Sequence, residues 1–396
     1  MNDLFVTQDF KHYFYGTEKY VQNSIVLTYY LDLNVENINY LLILNEILKD
    51  NFDENLCKFP LNFNSQIIKR SDYLIFFTYF QFCESEIHSI NREIIQSIFG
   101  SLNVILNQEE GHISDESFCK YKEKILKISS RSEKDYKFLA IKECLKEIDS
   151  SYIPLYDKEN NMQDISYQDF IKWMQRFNIN AKFNLFHIGK NLNKEIAEAS
   201  NEFFLEYKPF ILPVRKKIEN HEINNSKIDI NKNINSSINY LTIGLRFRGL
   251  TPSQLSLLSN YLGGGGYSLL FNKVREDNNL VYTINTSTEL EKKLLVINAK
   301  VIASNLEKVE KIVNEELEKL YDGYCEPFIF KAALNAFKLN SAQIQDRPLS
   351  FVRAYINEQT TVEVLDSFNE LSEEDFSSLK GKIDKQVTVK YWSDVD

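Results

Sequence analysis

Four consecutive glycines, Gly263 to Gly266, separate a leucine-rich stretch from Tyr267-Ser-Leu-Leu-Phe-Asn-Lys-Val-Arg-Glu-Asp-Asn-Asn-Leu-Val-Tyr282. A helix or strand interior does not hold such a run, because glycine loses more backbone freedom on ordering than any other residue. One element must therefore end at Gly263 and another begin soon after. Upstream, Thr251-Pro-Ser-Gln254 supplies an N-cap, a proline at the first helical position and a capping-box glutamine. Leu255, Leu258 and Leu262 then share one helix face. Downstream, Ser268 to Asp277 reads as a short helix with Leu270 and Val274 on one side, and Leu280 to Asn285 as a strand.

The rest of the second half is equally periodic. Leu241, Ile243, Leu245 and Phe247 alternate with polar or small residues, the mark of a half-buried strand. Leu294 to Val301 reads as a strand antiparallel to Leu280–Asn285. Ser304 and Glu307 have capping-box spacing ahead of a helix striped by Leu306, Val309, Ile312, Val313, Leu317 and Leu320, with Gly323 at its end. A further helix follows Pro327, and Val387, Val389 and Tyr391 alternate in a closing strand.

The first half repeats this plan. Ser24–Leu31 reads as a strand, Asn37 to Lys49 as a helix, Ser65–Ile68 and Asp72–Phe82 as strands. Helical stretches follow over Ile87–Leu106 and Phe118–Asp149. Ser166 caps a helix carrying Phe170, Trp173, Met174 and Phe177, and Lys182–Ile188 closes as a strand. Runs of strands and helices without strict alternation indicate a duplicated α+β domain, and 396 residues suffice for two ordinary domains. Pro209, Pro213 and the asparagines between 220 and 235 place a linker at 207–227, between domains at 1–206 and 228–396.

A net charge of -10 excludes a nucleic-acid binder, whose target's phosphates demand basic surface. The N-terminus lacks a basic stretch followed by an apolar run, and the most apolar run, Leu74–Phe82, is too short to span a bilayer, so a cytoplasmic protein is expected. Cys57, Cys83, Cys119, Cys144 and Cys325 are scattered without a C-x-x-C pair and suit reduced thiols. There is no G-x-S-x-G, and His187, among Phe183, Leu185, Phe186 and Ile188, reads as a packed histidine.

Arg275 and Tyr282 are the candidates for chemistry in this segment. Arginine offers a rigid fork of donors and tyrosine a hydroxyl on a rigid ring, suited to holding an extended backbone or an oxyanion. One leaves a helix end and the other a strand start, so both are able to face one cleft. The local alternative is a surface arginine and a half-buried tyrosine.

With its glycine run, Leu270-Phe271, Arg275-Glu276, Leu280 and Tyr282, this segment resembles the C-terminal-domain signature of the M16 (insulinase-like, mitochondrial-processing-peptidase-like) metallopeptidases. Asn278-Asn279 replaces the basic residue and glycine of many relatives. The resemblance implies two similar tandem α+β domains of the M16/LuxS-like metallohydrolase type, together half of a clamshell. It assigns Arg275 and Tyr282 to substrate binding and oxyanion stabilisation beside a zinc ion.

The family's zinc motif, H-x-x-E-H on the first helix, is missing. His12, His88, His112, His187 and His221 are all more than twenty residues apart. If Glu46 matches the motif glutamate, Ile43 and Ile47 occupy the histidine positions, and isoleucine ligates no metal. Glu46 is then expected to face solvent from an amphipathic helix, and no metal or other cofactor is expected in this chain.

By the same resemblance the chain is a non-catalytic subunit of a heterodimeric M16B-type peptidase. Its partner would bear H-x-x-E-H and the zinc, and its substrate would be a short or unfolded peptide, as in leader removal from a bacteriocin. The chain by itself would have no activity, and no membrane or nucleic acid would be involved. Gly263, Gly264, Gly265 and Gly266 resemble the glycine-rich loop of the non-catalytic subunit of mitochondrial processing peptidase, against the local alternative of a plain helix end. The alternatives for the whole chain are a scaffold protein of M16 fold without a peptidase role and a lone peptide-binding module.

Overall fold

The computed structural model describes residues 11–18, 20–56, 59–70, 72–106, 113–180, 182–203, 208–209, 226–344 and 382–393, with 348, 349, 352, 371, 372, 376 and 379 besides. The elements run β1 (Lys11–Gly16), β2 (Gln22–Asp32), α1 (Val35–Leu56), β3 (Leu61–Lys69), β4 (Tyr73–Cys83), α2 (His88–Leu106) and α3 (Asp115–Ser132). Then come α4 (Tyr136–Ile148), α5 (Tyr167–Asn180), β5 (Lys182–Gly189), α6 (Asn193–Phe203) and the two-residue β6 (Lys208–Pro209). The remainder is β7 (Ser226–Asn233), β8 (Ile238–Phe247), α7 (Pro252–Gly263), β9 (Val281–Glu289), β10 (Leu294–Ile302), α8 (Leu306–Tyr321), α9 (Pro327–Ile344) and β11 (Ile383–Trp392).

Two compact units form, and the duplication is written in their sheets. In the unit drawn from 1–130, 155–215 and 348–356, the strand order is β1-β5-β2-β4-β3, with β6 beside β5. In the unit drawn from 131–154, 216–347 and 357–396, it is β7-β11-β8-β10-β9. Each sheet sets its first strand parallel to a strand late in its sequence, β1 on β5 and β7 on β11; the short β6 also runs parallel to β5, and the other neighbours are antiparallel. The first helix after the second strand is α1 in one unit and α7 in the other. The expected two-domain α+β fold is therefore present in this topology.

In the first unit α1 is buried over Ile38–Leu48, including Leu41, Leu42, Ile43, Leu44, Ile47 and Leu48. A helix apolar all round belongs inside. Phe76 and Phe183 on the sheet and Phe177 on α5 surround the buried Tyr29 ring, with centroids 5.6–6.1 Å away. The helical stretch read as Phe118–Asp149 breaks in two, because Asp135 caps α4, its carboxylate accepting from the Lys137 and Phe138 amides at 2.9 and 3.3 Å.

In the second unit α7, α8 and α9 cover one sheet face, with Leu258, Leu262, Val309, Val313, Ile329 and Ala333 meeting Leu245, Ile297 and Val301. The other face takes α4, whose Ala140, Cys144, Leu145 and Ile148 pack on Val296, Val387 and Val389. This unit thus draws in 131–154 as well as 216–347 and 357–396; of the linker expected at 207–227, residues 207 and 210–225 lie outside the described ones. The capping box at Thr251 forms as read, with Thr251 Oγ1 accepting from the Gln254 amide at 3.2 Å and the Thr251 amide donating to the Gln254 side chain at 2.9 Å. The one read at Ser304 does not: a 3-10 turn over Ala303–Asn305 enters α8 first, and Asn305 makes no side-chain cap.

Candidate functional site

The glycine run ends α7 against the edge strand. A Cβ on Gly263 would lie 2.9 Å from the Thr286 backbone nitrogen and 2.7 Å from its Cγ2, so glycine alone permits this approach to β9. Thr286 is held there by its hydroxyl, which donates to the Ser259 carbonyl at 2.8 Å. At Gly265 φ is +154°, a region that side chains rarely enter. The Ser268 amide and hydroxyl both bond the Gly265 carbonyl, at 3.0 and 2.6 Å, and close the turn. Gly266 is different: it is exposed, and a Cβ there would meet nothing nearer than a Phe271 ring carbon at 3.8 Å.

Beyond the turn the short helix is present, but over Phe271–Glu276 it is π-helical. The Asp277 amide reaches back five residues to the Asn272 carbonyl at 2.9 Å. Such single wide turns recur at functional sites because they displace side chains from the regular helical positions. Val274 points into the core, while Arg275 is exposed with its guanidinium carbon 5.1 Å from the Phe271 ring centroid. Asn279 follows in a left-handed conformation, φ +50°, which asparagine tolerates better than most residues. The amides of Asn279 and Leu280 donate to Arg275 and Val274 carbonyls at 2.8 and 3.1 Å, fixing the strand start to the helix end.

Tyr282 sits on a β-bulge. In the β9–β10 register Thr283 faces Lys300 but Val281 faces Val301, leaving Tyr282 as the extra residue. A bulge re-aims a side chain that regular alternation would send inward. Tyr282 is accordingly 50% exposed between buried Val281 and the exposed Thr283. The Lys300 ammonium lies 5.7 Å from its ring centroid, within cation–π range. No hydrogen bond or ring contact joins Arg275 to Tyr282, and neither meets a carboxylate among the described residues.

Lys300 and the bulge escaped the sequence reading. Their signal was the odd spacing of Val281 and Ile284, both buried though three residues apart. A straight strand buries residues two or four apart on one face.

The place of the absent zinc motif is also resolved. Ile43 and Ile47 are buried in the core. Glu46, expected in solvent, is instead only 7% exposed, because α1 has no outer face over this stretch. Its carboxylate is gripped by Lys124 of α3 at 2.5 Å and by Lys49 at 3.3 Å. Burial pushes its pKa up, but the two ammoniums outweigh burial and hold it below the usual glutamate value. One turn on, Asp50 accepts from the Tyr121 hydroxyl at 2.5 Å and the Lys120 ammonium at 3.0 Å. Two apolar side chains and an ammonium do not fit a dication. Among the described residues no cluster of three or more His, Cys, Asp or Glu is placed to hold a metal. His187 is fully buried, its Nε2 2.9 Å from Asn23 Oδ1 and its ring 4.9 Å from that of Phe14, a packed residue. His12, His112 and His221 have no described side chain.

Residues 164–337, which contain the whole glycine, π-helix and bulge segment, match the family described as Peptidase M16 inactive domain. The fold of the full chain is shared with a conserved protein from Enterococcus faecalis V583, at 15% identity, TM-score 0.79 and 97% coverage of both chains. It is shared too with a peptidase M16 inactive domain from Pseudomonas fluorescens, at 15% identity and TM-score 0.75, covering 100% of this chain and 99% of that one. The match to the M16 inactive-domain family thus covers 164–337, and the whole chain shares the fold of M16 structures. Pitrilysin is similar at 10% identity and TM-score 0.69, but there the M16 fold of this chain, 98% covered, accounts for only 43% of the other. No curated protein matches the sequence. Within this fold, Arg275 and Tyr282 lie on the segment linking α7 to the edge strand β9. No helix among the described residues is long and apolar enough to cross a membrane.

Proposed function

We propose that this chain is the non-catalytic, substrate-holding subunit of a two-subunit M16 zinc peptidase. The observation that carries the proposal is the display of Arg275 and Tyr282, both exposed, in a chain whose motif-glutamate helix presents isoleucines and a lysine-paired Glu46. Arg275 would donate from its fork to a peptide carbonyl, and Tyr282 from its hydroxyl to the oxyanion that forms at the cleaved bond. The water and the metal belong to a partner with H-x-x-E-H. The substrate is a short or unfolded peptide, and leader removal from a ribosomally made peptide in the cytoplasm is the setting we favour. That this chain spans 43% of pitrilysin supports a reading in which a second chain supplies the remaining half. Gly266, free of any packing demand, is the member of the glycine run best suited to approach a substrate.

The test is a tagged pull-down with mass spectrometry, followed by reconstitution. A stoichiometric partner carrying H-x-x-E-H is expected, together with peptidase activity that falls at least tenfold with Arg275→Ala and with Tyr282→Phe. Wild-type activity in both variants would leave a scaffold role. Zinc-independent peptide binding without any partner would leave a lone binding module.

A further inference from the structure

We infer that Lys300 is a third member of the Arg275–Tyr282 site and selects peptides bearing a carboxylate close to the residue that Arg275 holds. The inference rests on the substrate-holding role and adds the substrate's chemistry to it. Lys300 leaves β10 opposite Thr283, beside the bulge, and its ammonium lies over the exposed Tyr282 ring. Like Arg275, it meets no carboxylate among the described residues, although acidic residues outnumber basic ones by 56 to 46 along the chain. Its cation–π contact orients the ammonium without neutralising it, so the full charge stays available to a ligand.

The backbone ties between Val274 and Leu280, and between Arg275 and Asn279, bring the two cations to one locality. From Arg275 to the bulge is on the order of 10 Å by chain geometry, about three residues of an extended peptide. An anion within that reach would pair with Lys300 while Arg275 holds the backbone. Glu276 and Asp277, exposed on the same helix end, bear the opposite charge. They disfavour acidic groups on the far side of Arg275 and so give the preference a direction along the peptide. The carboxylate has two possible sources, an Asp or Glu side chain or the peptide's own C-terminus.

The experiment uses fluorescein-labelled unstructured peptides of about fifteen residues, alike except for one central Glu or Gln, each as free acid and C-terminal amide. Anisotropy titrations are run on the assembly isolated with this chain, or on the chain itself if it isolates alone. For a largely solvent-exposed pair of about 1 kcal/mol, the Glu peptide is expected to bind about fivefold tighter than the Gln peptide. Lys300→Met should bring that ratio to near one, and added salt should shrink it in the wild type. A preference for free acid over amide, lost in the same variant, would identify the terminal carboxylate as the group read. Arg275→Ala should weaken all four peptides together. If Arg275→Ala and Tyr282→Phe weaken binding but Lys300→Met keeps the wild-type ratios, the inference about Lys300 falls alone. If no peptide binds, or the Arg275 and Tyr282 variants change nothing, the substrate-holding role falls with it.

Discussion

Removing Lys124 tests whether Glu46 is neutralised by ammonium groups within the first unit. The Glu46 side chain is 10% exposed, against 52% for Lys124 and 39% for Lys49. At an effective dielectric of about 20, the contacts at 2.5 and 3.3 Å correspond to gross attractions of about 7 and about 5 kcal/mol. Desolvation and screening of the half-exposed lysines consume most of this. Breaking a fully buried pair costs about 3–5 kcal/mol and an exposed one at most about 1. With Lys49 remaining, Lys124→Met should cost about 2 kcal/mol, or about 4–8 °C in Tm for a unit of this size. Circular dichroism melts and urea titrations at pH 7 read this directly. Adding Glu46→Gln to Lys124→Met should restore part of the loss, because the stranded charge is then gone. The sign with pH follows from the lowered folded-state pKa of Glu46. Its contribution is fully present above the unfolded-state value and is lost as pH falls through the lower folded one. In Lys124→Met burial has less opposition, the folded pKa rises toward the unfolded one, and the share of acid destabilisation that Glu46 contributes shrinks. A melting temperature unchanged by Lys124→Met, or a double variant no more stable than the single one, would refute the reasoning.

The two ends of the glycine run should respond differently. Gly263→Ala forces a methyl against the Thr286 backbone and should cost about 1–3 kcal/mol, seen as a lower urea midpoint, while Gly266→Ala should leave it unchanged. Thr251→Ala removes an N-cap and should lower stability by about 1 kcal/mol in the same titration. Iodoacetamide labelling with peptide mapping should modify exposed Cys83 and Cys119 in the native protein. Cys144, buried and with its thiol pushed up to about 12, should react only after unfolding.

What the sequence disclosed was mostly local or strongly periodic. The Thr251 capping box sits within a short local stretch, and the apolar content of Leu294–Val301 marks a strand, so both are found where read. The strand β7 begins in the last two residues of the stretch read as linker: at the sheet edge it needs only Ile228 and Ile230 turned inward, and its other residues resemble loop. The strand β1 has its partner near residue 184, so nothing near it in sequence announces the pairing. Glu46 was misread because one acidic residue suggested a wet face, whereas the unbroken Tyr40-Leu-Leu-Ile-Leu44 run already implied burial on all sides. Arg275 and Tyr282 were visible as residue types at a spacing. Their display depends on a π turn, a left-handed Asn279 and a bulge, which arise from packing around them.

The position of β11 has a consequence for biosynthesis. This strand, residues 383–392, lies inside its sheet between β7 and β8, and the apolar face of α4 packs on it. Cys144 and the Val387 carbonyl it touches are separated by 243 residues. At translation rates of about 5–20 residues per second, α4 emerges on the order of 10–50 s before the strand it rests on. Throughout that interval Ala140, Cys144, Leu145 and Ile148 lack part of their cover, and β7 lacks the neighbour it pairs with. The second unit is thus completed only once β11 has emerged, and a ribosome that stops before residue 383 releases a chain with an open sheet and a bare helix. Such a product exposes apolar surface and an unpaired strand edge, so chaperones and proteases add a constraint on how far β11 tolerates change.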